Sequence, residues 1–215
     1  MTPSRRRALL ALAAGVGLHS ALRTALAQSP AQGMRTAKGE VSVNGKPASQ
    51  DSQVRAGDTI VLGKDAIATF VVGQDAFLMR SDSRAELIGS GLLVSAVQLV
   101  TGGLLAVFGG GDHRLATATA TIGVRGTGAY LEAEPRRTYF CLCYGTADVT
   151  ATMGGARDSY STQHHESPRY IYGDGRKRAI VPASVSNHTD AELILLESLV
   201  GRTPPQTFMD SPFKY

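Results

Sequence analysis

Residues 119–132, "TATIGVRGTGAYLE", set three glycines, Gly123, Gly126 and Gly128, around a single arginine, Arg125. A dinucleotide-binding fingerprint needs G-x-G-x-x-G between a strand and a helix. This stretch runs G-x-x-G-x-G instead. The next residues, "AYLEAEPRRTYFCLCYG", alternate, carry aromatic side chains and are interrupted by Pro135. They read as strand, so no helix N-terminus is offered to an anion. No Gly-Lys-Ser/Thr occurs here, which removes a phosphate-binding P-loop. The favoured reading is a strand–turn–strand corner built from Arg125, Gly126, Thr127 and Gly128, with a ligand-binding loop as the alternative. In the corner, Gly126 and Gly128 supply positive φ or a close backbone approach. Arg125 closes it onto backbone carbonyls or a carboxylate.

The sequence on either side has the same character. "GEVSVNGKPAS" alternates at Val41 and Val43 and carries the hairpin pair Asn44-Gly45. Short apolar runs ("TIVLG", "AIATFVVG", "AFLMR", "AELIG") are punctuated by Gly57-Asp58, Gly63-Lys64-Asp65, Gly73-Gln74-Asp75 and Ser81-Asp82-Ser83. Turn signals about every 8–10 residues suit an all-β sandwich or a stacked β-coil. "GLLVSAVQLVTGGLLAVFGGG" reads as two apolar strands split at Gly102-Gly103, and "RTYFCLCYGTADVTA" as two strands with a turn at Gly145. "ATATAT", residues 116–121, alternates with period two and reads as an extended segment. Residues 153–174 read as a long loop or irregular hairpin. At the C-terminus Thr189 and Glu192 form a capping-box pattern. Leu193, Leu195, Leu196 and Leu199 make a helical stripe, ended by Gly201 and Pro204-Pro205. The expected fold is therefore all-β, a β-solenoid-like or two-sheet sandwich module, with one C-terminal α-helix near residues 190–200.

"TATATIGVRGTGAYLE" resembles the central motif of the FecR domain, a threonine-rich strand running into an "RGT" corner. "GEVSVNGKPA", "VRAGDTIVLGKDAIATFVV" and "FLMRSDSRAEL" resemble that family's successive strands, including the turn at Gly57-Asp58. The match runs over about residues 39–149. The resemblance implies a periplasmic all-β module. In the best-known members this module relays a signal between an outer-membrane transporter and a cytoplasmic sigma factor. Such a relay needs an anti-sigma segment and a membrane helix ahead of the module. Here only about 38 residues precede it, so the expectation carried over is the module and its capacity to bind an envelope protein or glycan.

Those preceding residues read as an export signal. Arg5, Arg6 and Arg7 give a positive start, residues 8–18 an apolar run, and "ALA" at 25–27 a cleavage site. The run is about half the length needed to cross a bilayer core as helix, so no permanent membrane span is expected. "SRRRALL" resembles a twin-arginine signal, with Ala8 where a bulky residue is usual. The domain plan is thus a signal over 1–27, a linker over 28–38, the β domain over 39–150, and an irregular extension over 151–215. Residues 1–27 hold 4 of the 22 basic residues and no acid, leaving 18 basic against 18 acidic residues in the mature chain. Without net positive charge, a nucleic-acid partner loses its main electrostatic support.

The two cysteines, Cys141 and Cys143, share one face of a strand. Three readings stay open. They are packed thiols, a disulfide in an oxidising compartment, or a Zn or Cu site completed by His164 or His165 of "QHHESP". Neighbouring histidines on an extended segment point opposite ways, which weakens the last reading. No catalytic constellation stands out. "GSG" at 89–91 lacks the nucleophile-elbow pattern, and His113, beside Asp112 in a glycine run, reads as part of a solvated turn. The expected function is non-enzymatic binding in the bacterial periplasm. The alternative is a metal-binding or redox-linked protein centred on the cysteine pair.

Overall fold

Period-two alternation lets one strand serve two apolar layers at once, and part of this chain's sheet uses it. The computed structural model describes residues 31–212, 214 and 215; the predicted signal and residues 28–30 of the predicted linker lie outside the described residues. The strands are β1 (Gly33–Lys38), β2 (Val41–Val43), β3 (Lys46–Pro47), β4 (Thr59–Leu62), β5 (Ile67–Val72), β6 (Asp75–Met79) and β7 (Arg84–Ser90). They continue with β8 (Leu93–Val107), β9 (Asp112–Ala116), β10 (Ala120–Glu134), β11 (Arg137–Ala151), β12 (Arg157–Thr162), β13 (Arg169–Tyr172) and β14 (Ile180–Pro182). Two helices follow among the described residues, α1 (Asp190–Leu199) and α2 (Gln206–Met209).

All described strands join one 14-stranded sheet. Only the β8–β9 pair is parallel; every other pairing is antiparallel, which is not the stacking of parallel coils in a solenoid. The sheet instead folds over into two leaves that share β8, β10 and β11. One leaf runs β1-β5-β6, then the second half of β8, the second half of β10, the first half of β11, and β13-β14. The other runs β3-β2-β4-β7, the first half of β8, β9, the first half of β10, the second half of β11, and β12. Strands that pass between leaves must bend, and bulges are how they do so. Gly102 in β8, Gly126 in β10 and Gly145 in β11 have φ of 81°, 54° and 104°.

Three sequence expectations are corrected by these long strands. Gly102-Gly103 and Gly145 do not separate strands; each sits inside a 15-residue strand. The segment around Arg125 is likewise no turn. β10 continues through it to Glu134, with register shifts between Arg125 and Gly128 and between Gly128 and Ala129. A residue with positive φ permits reversal or bending, and cross-strand pairing decides which. "ATATAT" is a fourth correction. It spans the connection between β9 and β10, with Ala116 paired to Thr121. Its buried hydroxyls interlock: Thr138 Oγ1 lies 2.6 Å from Thr117 Oγ1 and 2.7 Å from Thr119 Oγ1.

The core lies between the leaves, with Leu104, Ala106, Ala129, Leu131, Phe140 and Leu142 pointing inward. Their alternates, Leu105, Val107, Tyr130, Tyr139, Cys141 and Cys143, form a second apolar layer on the outer face. Helix α1 covers that layer with Leu193 and Leu196, joined by Val200 at its C-cap. Thr189 and Glu192 form the predicted capping box. Leu195, expected in the buried stripe, is 46% exposed. The short α2 was not expected; its Phe208 is buried against Tyr144 with ring centroids 5.3 Å apart. The linker expectation fails for residues 33–38, which pair with β5. The loop expected over 153–174 contains β12 and β13. The Asn44-Gly45 hairpin forms as read, with φ of 52° and 74° and Val43 opposite Lys46.

Candidate functional site

The outer layer under α1 holds the densest group of ligand-type side chains among the described residues. β11 supplies Cys141 and Cys143, both buried on the same face as the sequence implied, and both free thiols rather than a disulfide. The end of β12 and the segment after it are held onto β11 by two bonds. Thr162 Oγ1 donates to the Leu142 carbonyl (2.8 Å), and the His165 amide donates to the Cys143 carbonyl (3.0 Å). The Glu166 carboxylate accepts the Gln163 and His164 amides at 2.7 and 3.1 Å. His165 takes φ of 56°. That left-handed kink overturns the expectation that His164 and His165 point opposite ways, because the segment is not extended. Both rings reach the same carboxylate, Asp190, with His164 Nε2 3.2 Å from Oδ2 and His165 Nε2 3.2 Å from Oδ1.

Two groups result. Cys141, Cys143, His165 and His188 place one ligand atom each within 4.8 Å of one another, and His164, His165 and Asp190 do the same. All six residues are buried. Of the four residues expected around a metal, the structure unites Cys141, Cys143 and His165. It assigns His164 to the carboxylate and brings His188 in its place. His188 lies just before α1, its ring stacked on Tyr130 at 4.6 Å. Asp190 opens α1, and its amide donates to the Tyr215 carbonyl at 3.0 Å.

The two thiols differ sharply. Burial raises the Cys141 thiol, but hydrogen bonds with Cys143, His165 and His188 outweigh it and hold Cys141 well below the ordinary range. Burial and the bond to Cys141 push Cys143 well above it. Two thiols packed among imidazoles make a donor set able to ligate a soft cation.

The Arg125 segment lies elsewhere and has a different character. Arg125 Nε donates to Asp112 Oδ1 at 2.5 Å, between two exposed side chains. Thr127 Oγ1 donates to the Arg125 carbonyl at 2.6 Å, stabilising the bulge from within. Gly126 has the positive φ and open space where a side chain would go. Gly128 has the close approach, packed against Tyr144 and Leu193. His113 is no solvated turn residue. It sits buried in β9, with Nδ1 3.0 Å from the Val94 carbonyl and its ring stacked on Phe108.

A second surface feature is apolar. The β7–β8 hairpin exposes Ile88 (49%), Leu92 (48%) and Leu93 (69%). Leu92 also lines a cleft of about 490 Å³ with Gln32, Gln53, Val54 and Arg55. No helix among the described residues is long and apolar enough to cross a membrane.

No family model matches the sequence, and no curated protein matches it. Similarity is found to two crystal structures of a "putative anti-sigma factor" from Parabacteroides distasonis ATCC 8503. They share 10% and 9% identity with this chain and a TM-score of 0.48 each. The matched region covers 59% of this chain and 59% of each of those chains.

Proposed function

We propose that this protein is a non-enzymatic, exported FecR-like module that binds a protein or glycan partner in the bacterial periplasm. The observation that carries the reading is the apolar β7–β8 tip. Three large hydrophobic side chains stand exposed on one hairpin, and one of them, Leu92, lines a cleft. Isolated exposed apolar residues need no explanation, but several on one hairpin that borders a cleft mark a candidate interaction surface. Two further features support it. The ordered motifs over residues 39–149 resemble a periplasmic interaction domain. The folded-over sheet also leaves β1, β3, β12 and β14 each paired on one side only, and such edges accept a partner's strand.

The test is affinity capture from envelope extracts with the wild-type chain and with a Leu92→Asp/Leu93→Asp double variant. Purified peptidoglycan is assayed in parallel. The reading expects a partner retained by the wild type and lost by the double variant, whose circular dichroism stays unchanged. Equal capture by both would reject the hairpin as the binding surface. A chain that stays in the cytoplasm on fractionation would reject the periplasmic role.

A further inference from the structure

We infer that Cys141, Cys143, His165 and His188 form a closed tetrahedral zinc site that ties α1 and the segment after β12 to β11. The inference is independent of the binding role proposed above.

The argument starts from protons. His165 Nε2 faces a carboxylate oxygen of Asp190 at 3.2 Å. His188 Nδ1 faces the Ser186 carbonyl at 2.7 Å. Both partners only accept, so these two ring nitrogens carry the hydrogens. The remaining nitrogens, His165 Nδ1 and His188 Nε2, then present lone pairs. They face each other at 3.1 Å in a fully buried setting. Two acceptors so placed repel unless something positive lies between them. The cysteine thiols lie on the same side, with Cys141 Sγ 3.4 Å from His165 Nδ1.

The spacing fits zinc. With Zn–N of about 2.0–2.1 Å and Zn–S of about 2.3 Å, a tetrahedron has N···N edges of about 3.4 Å, S···N of about 3.6 Å and S···S of about 3.8 Å. The two separations above fall a few tenths of an ångström short of those edges, and the whole set lies within 4.8 Å. Charge fits as well. Two thiolates neutralise a divalent ion, so the buried centre carries no net charge, whereas a monovalent copper ion would leave one negative charge uncompensated. The outer partners fit too. A histidine ligand that donates its other N–H to a carboxylate or carbonyl is the usual support of a zinc site, and both histidines do so. Binding releases the thiol protons to solvent and changes no oxidation state.

The experiment uses the full exported chain, purified without chelators for elemental analysis, then stripped and titrated with Zn²⁺ alone and Co²⁺ alone. The expected result is one zinc per chain, with Kd below about 10⁻⁷ M, the weak end of structural zinc sites. Cobalt should give tetrahedral visible bands and a sulfur-to-cobalt charge-transfer band, a readout that needs no variant. Cys141→Ser and His188→Gln should weaken uptake at least 100-fold, and Asp190→Asn about 10–100-fold. The inference is overturned by a chain that takes up no zinc, by a cobalt spectrum without thiolate ligation, by unchanged uptake in Cys141→Ser, or by isolation of a Cys141–Cys143 disulfide.

Discussion

Replacing Gly128 by alanine would put a Cβ 2.6 Å from Tyr144 Cε1, 2.7 Å from its Cζ and 2.9 Å from Leu193 Cδ2. The Tyr144 ring cannot step aside. It is buried, its hydroxyl donates to Glu197 Oε1, and its edge packs on Phe208. Relief requires α1 to shift off the sheet, and overpacking of this kind costs about 1–3 kcal/mol. The neighbouring glycines isolate other demands. Gly126→Ala meets no atom within 4 Å but must hold φ of 54°, a cost of about 1–2 kcal/mol. Gly126→Asn should recover part of that, because asparagine tolerates this region. Gly123 lies in regular strand with only Asp148 Cβ at 3.9 Å. Gly123→Ala should be neutral or stabilise by about 0.5 kcal/mol through reduced chain entropy in the unfolded state. Urea unfolding followed by circular dichroism measures the series, given total stabilities of about 5–15 kcal/mol. If Gly128→Ala cost less than Gly126→Ala, Gly128 would not be the residue that admits Tyr144 and α1, and the division of labour within "RGTG" would be wrong.

Burial pushes the Asp75 carboxyl up, against the opposing effects of the Gly109 N–H, His113 and Arg202. The folded state then keeps a proton that the unfolded chain has released, so Asp75's contribution to stability is complete below pH 3.8 and is lost as pH rises through its folded value. Asp75→Asn should flatten that decline, seen as a smaller fall in melting temperature as pH rises above 3.8; an unchanged slope would dismiss the assignment. Thr189→Ala removes the side-chain oxygen that accepts the Glu192 amide and should cost about 1 kcal/mol in the same urea assay. Glu192→Gln keeps the cap while weakening the bidentate contact from Arg80, 3.0 Å to each oxygen, and should cost less. In the predicted export segment, Arg5→Lys/Arg6→Lys should leave precursor in the cytoplasm if the route is twin-arginine, read by immunoblot of cell fractions. Normal export of that variant would exclude the route.

Local chemistry was legible wherever it decided structure locally. Asn44-Gly45 had to turn because two adjacent residues accept positive φ, and the Thr189–Glu192 box had to start a helix because both partners lie within one turn. Legibility failed where distant pairing chose between local options. Gly102, Gly126 and Gly145 announce conformational freedom, yet only the partner strands turn that freedom into bends instead of reversals. The helical stripe was half right: Leu193 and Leu196 are buried in the layer that includes β6 and β8, while Leu195 points to solvent. Cys141 and Cys143 shared a face as strand geometry requires. His188 was missed because it is 23 residues from His165, across β13 and β14, with no spacing rule to connect them. Its only advance signal was its place directly before a capped helix whose first residue is acidic.

The three long strands that traverse both leaves have a mechanical consequence. A sandwich of two separate sheets can be sheared or peeled one sheet at a time. Here each crossing strand is a pin through both halves, so pulling one half loose drags out the ladder of the other. Amide exchange at Val97 and Leu105, on opposite arms of β8, should therefore report a single global opening, and no half of the molecule should persist once the other has melted.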